Sequence, residues 1–163
     1  MVRVLMVCTG NTCRSPMAAA LLQAKICEAG AESLVAVASA GLMAAAGEPM
    51  SAPAQAVLRQ KGLSGQEHQA ALLTRMDLAS YDLILTMTTQ HKRLLLSAPE
   101  AKEGRIYTLR EYAGENGDIS DPYGGEEKVY AACALELERL LTKVWEKINF
   151  LAGKKQVLAK KNE

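Results

Sequence analysis

Apolar positions along the chain alternate between two patterns. Short, nearly continuous apolar runs are typical of parallel strands buried on both faces, and each is followed by a segment compatible with a helix. The predicted strands span 2–8, 34–38, 81–86 and 105–109, and the predicted helices span 17–29, 52–61, 89–97 and 126–151. This alternation predicts the α/β class, with a parallel sheet covered by helices on both faces and right-handed crossovers.

The last predicted helix has the clearest pattern and marks the end of the predicted domain. From 126 to 151, apolar residues recur at spacings of three and four, as on one face of a long amphipathic helix. The segment 152–163 is rich in lysine, and we expect a flexible basic tail there. A chain of 163 residues has the length of one domain, so we expect a single domain over 1–151.

Composition and charge exclude several classes of protein. The chain has 19 Lys and Arg against 18 Asp and Glu, and this net charge of +1 produces no long-range attraction for nucleic acid. No apolar run is long enough to span a bilayer, and the apolar start lacks a signal-peptide cleavage site. We therefore expect a soluble, cytoplasmic monomer with neither a nucleic-acid nor a membrane partner. Four cysteines in such a chain favour thiol chemistry over a disulfide scaffold.

The loop after the first predicted strand carries the pattern that points to a reaction. In open parallel sheets, ligands bind at the carboxyl ends of the strands. At this position Cys8 and Arg14 are separated by five residues, and a predicted helix follows. Glycine and asparagine in the gap tolerate positive φ, so successive backbone N–H groups can turn toward one point beside the positive end of the helix dipole. The predicted oxyanion cradle consists of Thr9, Gly10, Asn11, Thr12, Cys13, Arg14 and Ser15.

Three side chains have chemical roles in this prediction. Arg14 grips two phosphate oxygens with its planar fork, and the positive field favours a Cys8 thiolate that attacks phosphorus in line. Asp121 lies in an Asp-Pro-Tyr-Gly-Gly loop and is the candidate acid for the leaving group and base for the hydrolytic water. Asp118 is the weaker candidate, and we interpret it as a turn residue.

Three motifs, in this order along the chain, resemble those of the low-molecular-weight protein tyrosine phosphatases. They are residues 7–16 (Val-Cys-Thr-Gly-Asn-Thr-Cys-Arg-Ser-Pro), 39–41 (Ser-Ala-Gly) and 121–123 (Asp-Pro-Tyr). The resemblance extends to about residue 150. Within the family, the chain looks most similar to the bacterial protein arginine phosphatases, which carry threonine at the position of Thr12.

The resemblance implies a fold and a set of catalytic roles. The implied fold is a flavodoxin-like three-layer sandwich with a four-stranded parallel sheet. The implied roles are Cys8 as nucleophile, Arg14 for phosphate binding and Asp121 as general acid, with no metal and no organic cofactor.

The resemblance also implies residues that support the loop. Ser15 would hydrogen-bond the Cys8 thiolate, while Ser39 and His68 would hold Asn11 in its strained turn. A solvated loop histidine remains the alternative for His68. We expect His91, at a predicted helix start, to lie at the surface.

Thr12 and Tyr123 bear on which phosphorylated side chain is cleaved. A tyrosine phosphatase needs apolar walls, whereas this chain has a hydroxyl at Thr12 and Gly124 in place of a second aromatic residue. The guanidinium of phosphoarginine is polar, so Thr12 can orient it and Asp121 can accept its N–H bonds. We therefore predict a phosphatase for phosphoarginine in proteins. A tyrosine phosphatase, in which Thr12 is a neutral variation, is the alternative.

The remaining cysteines leave two further possibilities open. Arsenate reduction is a remote alternative, because those reductases relay oxidation through additional cysteines and none lies between 64 and 117. Cys13 could capture an oxidised Cys8 as a disulfide, which would make the enzyme redox-sensitive. The alternative is that Cys13 packs beneath the loop. We expect Cys27 and Cys133, in segments with helical spacing, to be core or near-core residues.

Overall fold

Four parallel strands pair in the order β2-β1-β3-β4. The computed structural model describes residues 1–161, without the side chains of residues 75, 76, 160 and 161. The strands are β1 (Val2–Cys8), β2 (Val35–Gly41), β3 (Leu83–Thr86) and β4 (Ile106–Thr108). Because the chain moves from β1 to β2 on one side and then to β3 on the other, the strand order reverses beside β1, which is where open α/β sheets bind ligands.

Helices cover both faces of the sheet. They are α1 (Arg14–Glu28), α2 (Ala52–Gln60), α3 (Arg75–Ser80), α4 (Thr89–Leu96), α5 (Leu109–Tyr112) and α6 (Glu127–Lys161). Alternate residues of β1 enter different cores: Val4 and Met6 pack in the core that includes α1 and α6, whereas Leu5 packs in the core that includes α3 and α4. The expected three-layer sandwich with a four-stranded parallel sheet is confirmed.

Two short helices and the end of one strand were missed by the sequence pattern. Helix α3 begins with a capping box formed by Thr74 and Asp77, and α5 follows β4 directly with Thr108 at its N-cap. Both helices are too short to show a helical period. Strand β2 continues to Gly41, past the predicted end at 38, because its last residues pair with β1 as far as Cys8.

The predicted end of the last helix at 151 is wrong, since the helix continues beyond it, and the domain boundary placed at the same residue stays a prediction. Helix α6 runs on to Lys161, Ala152 is buried, and the ammonium of Lys155 lies 2.7 Å from the carboxylate of Asp82. The lysines that suggested a tail therefore lie on a continuing helix. The flexibility of 152–161 stays a prediction, and residues 162 and 163 lie outside the described residues. Among the residues described, no helix combines the length and apolar character needed to cross a membrane.

Candidate active site

The loop between β1 and α1 is held from its outer side through its carbonyl groups. Backbone N–H groups of the neighbouring loop donate to three of them at 2.9–3.0 Å, in the pairs Leu42 to Cys8, Met43 to Thr9 and Ser51 to Thr12. The C=O and N–H of a trans peptide point in opposite directions, so the amides that follow these carbonyls turn inward. These inward amides belong to Thr9, Gly10 and Cys13, which line a cavity of about 280 Å³. Backbone donors thus face the cavity where the sequence predicts an oxyanion cradle, and the binding of an oxyanion there stays a prediction.

Asn11 holds the turn of this loop. It is fully buried and has a φ of 57°, the left-handed region that asparagine tolerates. Its amide nitrogen donates to Ser15 Oγ at 2.8 Å and to Ser39 Oγ at 2.9 Å, and its amide oxygen accepts the N–H of Ala71 at 2.9 Å. His68 Nε2 lies 2.7 Å from the Asn11 carbonyl and must donate, since a carbonyl oxygen only accepts. Every polar group on the Asn11 side chain is thus hydrogen-bonded. Ser39 contacts this side chain and His68 contacts the backbone carbonyl, so both residues named by the resemblance touch Asn11.

Cys8 lies at the floor of the cradle and contacts one hydroxyl. Its sulfur is 2.9 Å from Ser15 Oγ, and both residues are buried. Because Ser15 Oγ already accepts a hydrogen bond from Asn11, its own hydrogen is available for the sulfur. A serine O–H directed at sulfur stabilises a thiolate more than a thiol.

Gly41 allows β2 to end directly against the cradle. A Cβ atom at this position would lie 2.5 Å from the Thr9 carbonyl oxygen and 3.0 Å from the Asn11 amide nitrogen. Both contacts are to backbone, so a side chain here displaces the loop itself. The third residue of the Ser-Ala-Gly motif therefore has a steric reason to be glycine.

Arg14 and Asp121 line the same cavity and form an ion pair. The buried Arg14 guanidinium donates through Nη1 to the Ile119 carbonyl and through Nη2 to Asp121 Oδ2, each at 3.0 Å. The second oxygen of Asp121 accepts the Tyr123 N–H at 3.2 Å. Asp118 points elsewhere, since its Oδ1 accepts the N–H of Thr89 at 2.8 Å at the start of α4. Asp121, the preferred of the two candidates, is the one that lines the cavity.

The expectation that His91 lies at the surface is wrong. Its ring is buried, and Nε2 lies 2.9 Å from Thr9 Oγ1 in the cradle. Burial, followed by the nearby charge of Arg14, lowers the pKa of His91 below its usual 6.5, which favours the neutral ring. Within the described part of the chain, the buried Nδ1 has no hydrogen-bond partner. The sequence position of His91 could have indicated this contact. His91 lies in the first turn of α4, just after the carboxyl end of β3, and β3 adjoins β1.

Cys13 packs beneath the loop, as in the alternative to the redox switch. Its sulfur contacts Ser51 Oγ at 3.3 Å and the Tyr130 hydroxyl at 3.4 Å. Burial raises the pKa of Cys133 to about 12, so this thiol is unreactive near neutral pH. The expected burial of Cys133 is confirmed, whereas Cys27 is exposed because it lies on the solvent side of α1. A disulfide between Cys8 and Cys13 stays a prediction.

Thr12, Tyr123 and Glu48 form the wall and mouth of the cavity. Thr12 is half-buried, whereas Tyr123 is 78% exposed and leaves its ring free to contact a substrate. Glu48 was missed by sequence reasoning, because it belongs to a loop that precedes α2 and is distant from the motifs that suggested the chemistry.

The chain as a whole has counterparts among known proteins. The chain matches the family model of the low molecular weight phosphotyrosine protein phosphatases over residues 3–156. The chain belongs to this family. It is therefore a cysteine-dependent protein phosphatase, and the expectation of fold and family is confirmed.

Relatives within the family have different described substrates. The protein-arginine-phosphatase of Geobacillus stearothermophilus is 43% identical over 148 residues, which cover 90% of this chain and 95% of the relative. The low molecular weight protein tyrosine phosphatase from T. tengcongensis has a crystal structure that matches with a TM-score of 0.86 and 42% identity, over 90% of this chain and 99% of that one. A structure of YwlE arginine phosphatase, a cysteine-to-serine mutant with a phosphorylated active-site serine, matches with a TM-score of 0.85 and 36% identity, over 91% and 96% of the two chains.

Proposed function

We propose that this protein removes phosphate from phosphoarginine in proteins, with Cys8 as the nucleophile. The observation that supports this most strongly is the site itself, in which a buried Cys8 sulfur beside Ser15 shares one cavity with the Arg14–Asp121 ion pair. The similarity to arginine phosphatases over nine-tenths of the chain supports the choice of substrate.

The first step transfers phosphate to the enzyme. Arg14 and the cradle amides bind the phosphate oxygens, and the Arg14 fork turns from Asp121 toward them. The step begins with Asp121 protonated and released from Arg14, and with Cys8 as a thiolate. The Cys8 sulfur attacks phosphorus in line, the P–N bond breaks, and Asp121 gives its proton to the departing arginine nitrogen. The products are S-phosphocysteine and an unmodified arginine side chain.

The second step releases the phosphate. A water molecule attacks phosphorus and Asp121, now a carboxylate, takes the proton of that water. The S–P bond breaks, inorganic phosphate leaves, and Cys8 returns as a thiolate stabilised by the Ser15 hydroxyl.

Thr12 and Asp121 support phosphoarginine as the substrate over phosphotyrosine. The Thr12 hydroxyl and the carbonyl oxygen of the protonated Asp121 carboxyl group can accept guanidinium N–H bonds, whereas a phenyl ring would leave them unpaired against an apolar surface. Among the described residues that line the cavity, Tyr123 is the only aromatic one. Phosphotyrosine remains the second candidate, because the solved structure from T. tengcongensis is of a tyrosine phosphatase.

The site is complete within one chain, and we propose that the protein works as a monomer in the cytoplasm. Cys8, Arg14 and Asp121 all come from the same chain. Light scattering at assay concentration checks the monomer; a dimer at the lowest active concentration would contradict it.

The decisive experiment compares kcat/KM on one peptide that carries either phosphoarginine or phosphotyrosine. We expect a preference for phosphoarginine of tenfold or more, about 1.4 kcal/mol of transition-state discrimination. Cys8→Ser should abolish turnover of both peptides, whereas Cys27→Ser, at an exposed site away from the cavity, should leave it unchanged. A preference for phosphotyrosine would overturn the choice of substrate.

A further inference from the structure

Glu48 places a negative charge at the mouth of the phosphate-binding cavity. Three ordinarily charged side chains line this cavity, Arg14, Glu48 and Asp121, and Arg14 and Asp121 are paired with each other. Glu48 is exposed and takes part in none of the ion pairs found among the described residues. Its charge is therefore available to a substrate.

The backbone of Glu48 is fixed relative to the cradle. Ala70 donates its N–H to the Glu48 carbonyl at 2.7 Å and accepts the N–H of Gly47 at 2.8 Å. Gly47 has a φ of 86°, which permits the tight turn that presents Glu48. Ser51, at the end of the same loop, bonds the Thr12 carbonyl at 2.9 Å. The carboxylate therefore projects from a braced loop tied to the phosphate site.

A carboxylate in this place opposes the binding of phosphate alone. Like charges repel, and Glu48 adds its charge to a cavity whose guanidinium is already shared with Asp121. The arrangement becomes favourable when the substrate carries its own positive group at a short distance from its phosphate. An uncharged phosphotyrosine ring supplies no such group.

We propose that Glu48 is a specificity-determining residue that accepts hydrogen bonds from a cationic N–H group of the substrate at the mouth of the cavity. The inference rests on the proposed function only in that the phosphorylated side chain enters this cavity. The cation has two possible sources, the guanidinium of phosphoarginine itself or a basic side chain next to the phosphorylated residue. Both present the same chemistry, a positively charged N–H donor facing a carboxylate.

The test compares the wild-type enzyme with Glu48→Gln, which keeps the size and removes the charge. Four peptides carry phosphoarginine or phosphotyrosine, each flanked by alanines or by lysines, and p-nitrophenyl phosphate is a fifth, uncharged-ring substrate. Glu32→Gln is the matched control, since Glu32 is exposed in the turn before β2. This turn lies at the amino ends of the strands, whereas the cavity lies at their carboxyl ends. For each enzyme, kcat/KM is measured at about 0.05 M and about 1 M salt, because a charge contact at an exposed site is screened by salt.

We expect Glu48→Gln to lower kcat/KM about two- to fivefold on peptides that bring a cation. On p-nitrophenyl phosphate kcat/KM should rise slightly, because the repulsion of the phosphate is removed, and both changes should shrink at high salt. A loss on alanine-flanked phosphoarginine identifies the guanidinium as the source, and a loss confined to lysine-flanked peptides identifies the neighbouring residue. An equal change on all five substrates, or no change on any, overturns the proposal.

The two proposals fail in different ways. A wild-type preference for phosphotyrosine would contradict the choice of phosphoarginine, yet the lysine-flanked and alanine-flanked phosphotyrosine peptides would still test Glu48. A loss on cationic peptides with Glu32→Gln as well would contradict a local role for Glu48.

Discussion

At the scale of single residues, Thr12 is the side chain on which the choice of substrate depends most directly. It is half-buried in the cavity wall, where a hydroxyl can meet a guanidinium N–H group. Replacing it by isoleucine removes that partner and adds apolar surface that suits a phenyl ring. We expect Thr12→Ile to shift the ratio of kcat/KM values toward phosphotyrosine by about tenfold, the effect of roughly one lost hydrogen bond to a charged group.

Thr142→Ile is a suitable control for this measurement, since Thr142 is exposed on α6 and its hydroxyl donates to the Glu138 carbonyl, away from the cavity. The ratio should not move in that variant. An unchanged ratio in Thr12→Ile would remove Thr12 from the explanation of specificity.

Asn11 combines backbone strain with hydrogen bonding, and two substitutions separate the contributions. Asn11→Ala removes the side-chain bonds to Ser15, Ser39 and Ala71 and retains a Cβ at positive φ. Asn11→Gly loses the same bonds but relaxes the φ. We expect both substitutions to lower the free energy of unfolding by about 2–4 kcal/mol, because buried polar groups lose their partners. The Asn11→Gly variant should be about 1 kcal/mol more stable than Asn11→Ala, because glycine carries no strain at positive φ. Urea unfolding of the two variants measures this difference in stability. Equal free energies of unfolding would mean that the positive φ of residue 11 carries no strain.

At the scale of elements, the contact between β2 and the cradle depends on Gly41. A Cβ there would overlap the Thr9 carbonyl oxygen, so Gly41→Ala must move either the strand end or the phosphate-binding loop. We expect a loss of about 1–3 kcal/mol in stability and a fall in kcat larger than the change in KM, because the reacting geometry is displaced. Gly104→Ala is the control, since its Cβ would meet no atom within 4 Å. A kcat equal to that of Gly104→Ala would show that the loop absorbs the methyl group.

The elements also show where sequence reasoning stops. The apolar runs before Cys8 and Thr86 identified strands because burial on both faces leaves a local signature. Helices α3 and α5 are held by capping boxes over one or two turns, too short for a period. The predicted end of the last helix at 151 was wrong because lysines such as Lys155 were interpreted as a tail. Helix α6 continues instead, and Lys155 pairs with Asp82.

The candidate site divides in the same way between local and distant contributions. Cys8, Arg14 and Asp121 could be identified because their chemistry is carried by motifs contiguous in sequence. His91 and Glu48 could not, because His91 reaches the cradle from helix α4 and Glu48 from the loop before α2, each through packing between segments distant in sequence. Their positions depend on strand order and on backbone bonds between loops, which no local pattern encodes.

At the scale of the whole molecule, His91 links the active-site cradle to the pH dependence of stability. Burial lowers the pKa of His91 in the folded state, whereas in the unfolded chain it returns to about 6.5. As pH falls through that value, the unfolded chain binds a proton that the folded protein does not, so the folded state loses stability. The loss continues until the pH passes below the folded-state pKa.

His91→Asn tests this linkage by removing the titrating group. At about pH 7.5 we expect the variant to be less stable, by about 1 kcal/mol, because the bond to Thr9 is weakened or lost. At about pH 5.5 the gap should narrow or reverse, since asparagine escapes the protonation penalty that the wild type incurs. Denaturant unfolding of both proteins across this range measures the gap. A gap that stays constant with pH would show that His91 keeps the same affinity for protons in both states, and that the cradle is not coupled to acid destabilisation through this ring.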